Sequence, residues 1–219
     1  MEERDSASTR GAPRFELSGG RLSLDFANTV DNRPTEGRKE LLNSYSDLIA
    51  WAEQAGVIEA EEARVLGEEG MSRPADADAA LAAARDLREA LFAIFSSIAS
   101  GRGLPERSIA ALNAALPAAM SALRLAAVDG GFEWRWAPDR RGLDRMLAPL
   151  IRDAAELLTS PDLSRVRLCE SETCGWLFLD QSRNRTRRWC DMSVCGNRAK
   201  ARRHYQRKKR KSKTGGGLP

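Results

Sequence analysis

The chain has 219 residues, 42% of them hydrophobic, which is enough for one ordinary domain with a packed core and a smaller second one. Charges interrupt every apolar run well before eighteen residues, and the charged N-terminal residues lack the apolar segment of a secretory signal. These features argue against a membrane-spanning chain and predict a cytoplasmic protein without a membrane partner.

We expect residues 1–13 to be a disordered tail. The ordered part of the chain then begins with a turn between two segments of alternating apolar and polar residues. Apolar residues alternate on both sides of Gly19-Gly20, namely Phe15 and Leu17 before it and Leu22, Leu24 and Phe26 after it. The pattern predicts a pair of strands over residues 14–29.

The overlapping segment DFANTVDNRP is unusually polar for chain that leaves a core strand. One interpretation is a small-molecule pocket lined by four side chains: Asp25, Asn28, Asp31 and Arg33. The other is a loop whose side chains cap turns and the next helix. We favour the loop, because polar clusters of this kind usually serve turns and caps.

Apolar residues at helical spacing predict four helices in the next part of the chain. They run from residue 41 to about 55, from 59 to 66, from about 81 to 98, and from 105 onward. A link rich in Gly, Pro and Asp, residues 70–78, separates the second from the third. The first two loosely resemble a helix-turn-helix, but the acidic second helix would repel phosphate, so we reject that interpretation.

A β-hairpin is predicted around the turn Asp129-Gly130-Gly131. Three aromatic residues of its second strand share one face, which we expect to lie in the core: Phe132, Trp134 and Trp136. A further helix is predicted from about residue 142 to 158. Ser160-Pro161 then marks the best domain boundary.

All four cysteines lie in two pairs of one spacing, C-x4-C followed by glycine: Cys169, Cys174, Cys190 and Cys195. Two close thiol pairs are typical of a closed tetrahedral zinc site, and a chain that is not exported favours metal over disulfides. Gly175 and Gly196 would allow tight turns that direct amide N–H groups at sulfur. We therefore predict one structural Zn²⁺, with four unliganded cysteines as the alternative.

The segments around the cysteines predict a small zinc finger. Residues 176–179 form a strand, residues 187–190 its return strand, and a helix runs from Cys195 to about Arg210. A knuckle, a hairpin and a helix bearing the last ligand make a treble-clef-like finger. The expected fold class is α+β, a mainly helical N-terminal domain with β-hairpins followed by this finger. His204, the only histidine, is not expected to bind the metal.

The charge is strongly segregated. Residues 183–213 carry fourteen Lys or Arg against one acid and are +13, whereas the rest of the chain is −9. This separation predicts a polyanionic partner, namely nucleic acid. The candidate contacts are Arg183, Arg185, Arg187, Arg188, Asn197, Arg198, Lys200, Arg202, Arg203 and Arg207. Because a single helix selects a site poorly, a homodimer is a further hypothesis.

The segment RRWCDMSVCGNRAKARRH resembles the CGNR zinc-finger family, with the signature at Cys195-Gly196-Asn197-Arg198. The upstream segments LSLDFANTVDNR and LLNSYSDLIAWAEQAGVI resemble the ABATE domain, and LLTSPDLSRVRLCESETCGWLFLD resembles its junction to that finger. The resemblance implies an ABATE-like domain over residues 14–160, a CGNR finger over 161–211 and a disordered tail over 212–219. It also implies a zinc-containing, largely bacterial, stress-induced transcription regulator that binds DNA, so DNA is favoured over RNA as the partner.

Three functions remain open at this point. The first is a DNA-binding regulator whose N-terminal domain senses a signal or dimerises. The second is an RNA-binding or ribosome-associated module, since aromatic residues lie near the basic segment. The third is a zinc-thiolate redox switch. Catalysis is not expected, because the chain has no histidine-based triad or phosphate-binding glycine loop and the zinc site has no open position.

Overall fold

Helices dominate the residues that the computed structural model describes, 14–137 and 141–214. The helices are α1 Leu22–Ala27, α2 Tyr45–Gln54, α3 Ala60–Ser72, α4 Pro74–Ala99, α5 Glu106–Ser121, α6 Leu147–Leu158 and α7 Asn197–Thr214. Three antiparallel two-stranded sheets accompany them: β1 Val30–Asp31 with β2 Lys39–Glu40, β3 Leu123–Val128 with β4 Gly131–Trp136, and β5 Val166–Leu168 with β6 Leu177–Leu179. The α+β fold class is confirmed. The tail predicted at residues 1–13 lies outside the described residues. Of the tail predicted at 212–219, residues 212–214 belong to α7 and residues 215–219 lie outside the described residues.

The strand pair predicted for residues 14–29 is wrong, because residues 22–27 form the short helix α1. This helix packs on α4, α6 and β6, so Ser23, Leu24, Phe26 and Ala27 are all buried. A helix covered on several sides shows no one-sided apolar stripe. The turn before it is present, with Gly20 at φ +77°.

The helices that follow differ from the prediction mainly at their ends. Helix α2 begins at Tyr45 rather than near residue 41, because Ser44 and Asp47 form a reciprocal capping box. The link predicted at residues 70–78 is wrong, since only Arg73 separates α3 from α4. Pro74 opens α4, where its missing N–H has no helical partner to lose.

The predicted β3–β4 hairpin is present and turns at Asp129-Gly130, but its aromatic face does not lie in the core. Phe132 is 75% exposed and Trp134 is 53% exposed. At the base of the hairpin, Leu123 is buried and its partner Trp136 packs on the core. The expectation of a buried aromatic stripe is therefore wrong for the outer half of the hairpin. The hairpin projects beyond the helices that cover its base.

The β5–β6 sheet joins the helical body to the cysteines. Val166, Leu177 and Leu179 belong to the main core, whereas Trp176 and Phe178 pack with the four cysteines. The predicted strand at 176–179 is confirmed as β6, but its partner is β5 rather than residues 187–190, which are irregular. The two cores therefore lie on the two faces of one small sheet.

Candidate metal centre and basic surface

Four buried thiols meet behind the β5–β6 sheet. The Sγ atoms of Cys169, Cys174, Cys190 and Cys195 all lie within 4.8 Å of one another. Cys174 and Cys190 are 3.6 Å apart at sulfur, and Cys190 and Cys195 are 3.8 Å apart. A zinc ion about 2.3 Å from each of four sulfurs requires edges of about 3.8 Å, whereas a disulfide requires about 2 Å. The set is therefore able to bind one zinc ion.

Local turns bring the cysteines to this point. Gly175 has φ +73°, and a Cβ on it would approach Pro34 Cδ to 2.9 Å, so the knuckle needs glycine for its turn and for packing. The amide of Trp176 is directed at the Cys174 sulfur, as the sequence predicts. Gly196 has no left-handed backbone conformation, and a Cβ there would meet the flexible, half-exposed side chain of Met192.

The protonation of the thiols reflects their crowding. Hydrogen bonds from Cys174 and Cys190 lower the pKa of Cys169, and the same contacts raise the pKa of Cys174 and Cys190. Because cysteine binds zinc as the thiolate, the thiols that are protonated release their protons when the cation binds. Bound zinc would crosslink the four segments as thiolate ligands.

Two aspartates stabilise the loops around the cysteines. This structural role was not predicted from the sequence. The Asp191 carboxylate accepts hydrogen bonds from the Ser193 hydroxyl and the Ser193 and Val194 amides, which lowers its pKa and fixes the π-helical turn Met192–Gly196. Buried Asp180 accepts from Ser182 and from the Arg187 amide. The D-x-S spacing at both sites, typical of an Asx turn, was the available signal.

Some predicted nucleic-acid contacts are engaged within the protein. Arg187 donates to the carbonyls of Trp189 and Cys190 and lies 4.7 Å from the Phe178 ring centroid. Asn197 donates to the Ser193 carbonyl at 2.8 Å. These two side chains support the loop of the third and fourth ligands. Contact with nucleic acid stays a prediction for both.

The other predicted contacts lie on the surface of the finger. Exposed side chains are found at Arg183, Arg185, Arg188, Arg198, Lys200, Arg202 and Arg203, whereas the side chain of Arg207 lies outside the described residues. Arg188 pairs with Glu170, and Arg202 pairs with Glu172. The exposed basic groups extend from the irregular loop at residues 181–189 onto α7.

The four residues of the proposed ligand pocket do not face one cavity. Asp25 accepts from the Gly19 amide at 2.7 Å, and Asn28 bonds to the backbone of Leu177. Arg33 is paired with Glu89 at 2.8 Å and donates to the Ala27 carbonyl. Asp25 caps the local turn, whereas Asn28 and Arg33 contact distant segments rather than a turn or the next helix, and ligand binding by the set stays a prediction.

Asp31 lines a cavity of about 290 Å³ between the helical body and the finger. Burial raises the pKa of Asp31, and Lys39 opposes this effect. Arg198 and three of the cysteines line the same cavity.

A helical body joined through a shared sheet to a four-cysteine site and a basic helix defines a zinc-finger protein. Residues 20–161 match the ABATE family model, described as "Putative stress-induced transcription regulator", and residues 165–208 match the model described as "CGNR zinc finger". The chain therefore belongs to the ABATE family and carries a CGNR zinc finger after that domain. No curated protein matched it. No helix in the described ranges is long and apolar enough to cross a bilayer.

Proposed function

We propose that the chain is a non-catalytic, DNA-binding transcription regulator whose zinc finger places α7 against duplex phosphates. The observation that carries the proposal is the composition and position of α7. This helix starts two residues after the last cysteine and contains ten Lys or Arg and no acid. Like charges at helical spacing destabilise a helix, and phosphates relieve that repulsion.

The shape of α7 favours DNA over double-stranded RNA. Its 18 residues span about 27 Å, and a helix of this kind enters the major groove of B-DNA, which is about 12 Å wide. The major groove of A-form RNA is too deep and narrow for side-chain reading. The described residues 197–206 of α7 are exposed except for half-buried Ala199, so this face is accessible to a duplex.

The zinc site supports a structural role for the metal. Four cysteine ligands complete a tetrahedron and leave no position for water or substrate. The ABATE domain would then supply sensing or dimerisation, with the finger as the reading unit. On this proposal the protein acts in the cytoplasm, where DNA is accessible.

Binding of the zinc-loaded full chain to labelled duplex DNA between 50 and 200 mM salt tests the proposal. We expect affinity to fall steeply with salt. The double change Arg198→Ala with Lys200→Ala should reduce the slope of log K against log salt by about 0.9 for each phosphate that the protein no longer neutralises. Arg102→Ala with Arg107→Ala is the matched control, because both residues are exposed cations outside the finger.

A competition assay with unlabelled nucleic acid distinguishes DNA from RNA as the partner. Unlabelled structured RNA should displace the labelled duplex less well than unlabelled DNA at equal salt. Stronger displacement by RNA would favour the RNA-binding alternative. Equal loss of affinity in both double variants would contradict a role for α7.

A further inference from the structure

Acidic side chains are scarce in the finger, and their positions are informative. Residues 165–214 contain only four acids: Glu170, Glu172, Asp180 and Asp191. Asp180 and Asp191 hold loops through hydrogen bonds to serine and to backbone amides. Among the described contacts, neither Glu170 nor Glu172 accepts a hydrogen bond from a backbone amide or a hydroxyl. Stabilisation of a loop therefore does not account for the presence of these two glutamates.

Both glutamates are instead paired with arginines of the basic surface. Glu170 accepts from Arg188 Nε at 2.6 Å, and Glu172 forms an ion pair with Arg202 of α7. All four side chains are about half exposed or more. Exposed ion pairs of this kind contribute little to stability, so the fold does not depend on them.

The two ion pairs lie along one groove between the cysteine knuckle and the first turns of α7. Its volume is about 340 Å³, and both glutamates, Arg188, Arg202 and Arg203 line it. Trp189 forms part of its wall, with the guanidinium groups of Arg188 and Arg203 at 5.3 and 5.7 Å from the ring centroid. With Arg198, which also lines it, the groove gathers four arginines, and two of them are paired with a glutamate of the same groove.

We infer that Glu170 and Glu172 compete with phosphate for Arg188 and Arg202 and thereby limit binding to nucleic acid of any sequence. The inference rests on the proposed function. A phosphate that pairs with either arginine competes with its carboxylate, which stays nearby and repels the nucleic-acid backbone. The free-energy cost of this competition is the same for every base sequence. This cost weakens nonspecific binding, because nonspecific binding depends on phosphate contacts alone. Contacts to base edges then become the main source of net affinity.

The test compares the zinc-loaded full chain with Glu170→Gln combined with Glu172→Gln. Glutamine keeps the shape of each side chain and removes its charge. We expect this variant to bind a duplex of arbitrary sequence more tightly at 100 mM salt, by about fivefold for each ion pair removed. The slope of log K against log salt should steepen by up to about 0.9 for each additional phosphate that the protein neutralises.

The matched control is Glu61→Gln combined with Glu68→Gln. Both of these exposed glutamates pair with Arg64 on α3, so the control changes the net charge equally away from the groove. Zinc content and thermal unfolding, measured on every variant, show that folding is intact. Tighter binding and a steeper slope in the groove variant alone support the inference.

Equal affinities in the groove and control variants would overturn the inference and leave the proposed function standing. Weaker binding by the groove variant would also overturn it, because the glutamates would then contribute to recognition. Absence of salt-sensitive binding by the unaltered protein would overturn both.

Discussion

The side-chain amide of Asn28 bonds to both backbone groups of Leu177, 149 residues further along the chain. Its Nδ2 donates to the Leu177 carbonyl at 2.8 Å, and its Oδ1 accepts from the Leu177 amide at 2.8 Å. A single buried side chain thus takes the place of a neighbouring strand at the free edge of β6. It links the end of α1 to the strand whose other face packs on the cysteines.

Replacement of Asn28 by alanine leaves a buried N–H and a buried C=O without partners. We expect the free energy of unfolding to fall by about 2–4 kcal/mol, measured by urea denaturation. Asn113→Ala, at an exposed position of α5, is the control and should change stability by less than about 0.5 kcal/mol. An equally small effect at Asn28 would show that water satisfies the edge of β6.

Asp25 should make stability decrease as pH rises. Burial raises its pKa from 3.8 to about 6, the Asp153 charge adds to this shift, and the Gly19 amide opposes it. Since the folded state holds the proton more tightly, the stabilising effect is complete below about pH 4 and is lost as pH rises to about 6. The total loss is at most about 3 kcal/mol.

The variant Asp25→Asn isolates this effect, because asparagine can still accept from Gly19. Its stability relative to the unaltered protein should increase between pH 4 and pH 7, as measured by urea denaturation at each pH. A difference that does not change with pH would contradict the assignment.

Arg187 and Arg183 are close in sequence, yet their replacement should have different consequences. Arg187→Ala removes the donor to the Trp189 and Cys190 carbonyls, so we expect zinc affinity to fall by about 10–100-fold. Arg183→Ala removes an exposed cation and should leave zinc affinity unchanged. Competition with a chromophoric chelator measures both. Equal zinc affinities would mean that Arg187 does not position the third ligand.

Loss of zinc should destabilise the helical body as well as the finger, because one sheet serves both cores. Cys195→Ser should lower bound zinc from one ion per chain to nearly none. We also expect a lower Tm for the helical circular dichroism signal, with about 2–4 °C for each kcal/mol lost. Reloading zinc into chelator-treated, unaltered protein should restore the Tm. An unchanged Tm in the absence of zinc would show that the finger unfolds independently.

The exposed hairpin should tolerate a change that the core does not. Phe132→Ser, at a side chain that is 75% exposed, should alter the free energy of unfolding by no more than about 0.5 kcal/mol. Phe95→Ala, at a fully buried position of α4, should cost about 3–5 kcal/mol. Similar losses at both positions would mean that the hairpin face is covered in solution.

The cysteine site was predictable because its information is local. Two C-x4-C-G segments specify four ligands, and the glycine at 175 is required within its own turn. The long helix α4 was predictable over residues 81–98, where one apolar stripe continues, but its first residues from Pro74 were assigned to the link. The turn at Asp129-Gly130-Gly131 likewise fixed the register of the β3–β4 hairpin.

The remaining features depend on contacts between distant segments. Helix α1 is covered on several sides, so its apolar residues carry no helical period. Strand β5 has three residues, too few for an alternation to be recognised. The pattern at Phe132 and Trp134 identifies a shared face but contains nothing about whether another element covers it. No local motif marks Asn28 as the partner of Leu177.

The shared β5–β6 sheet determines how the finger can be separated from its carrier. A fragment cut at Ser160 would lose the helices that cover Val166, Leu177 and Leu179, together with the Gly19 carbonyl that accepts from the Leu179 amide at 2.7 Å. Three aliphatic side chains and a bare strand edge are a template for aggregation. If this finger is fused to another protein, it therefore stays soluble only when α1 and the Gly19 turn are included, or when the new partner covers the same face and edge of the β5–β6 sheet.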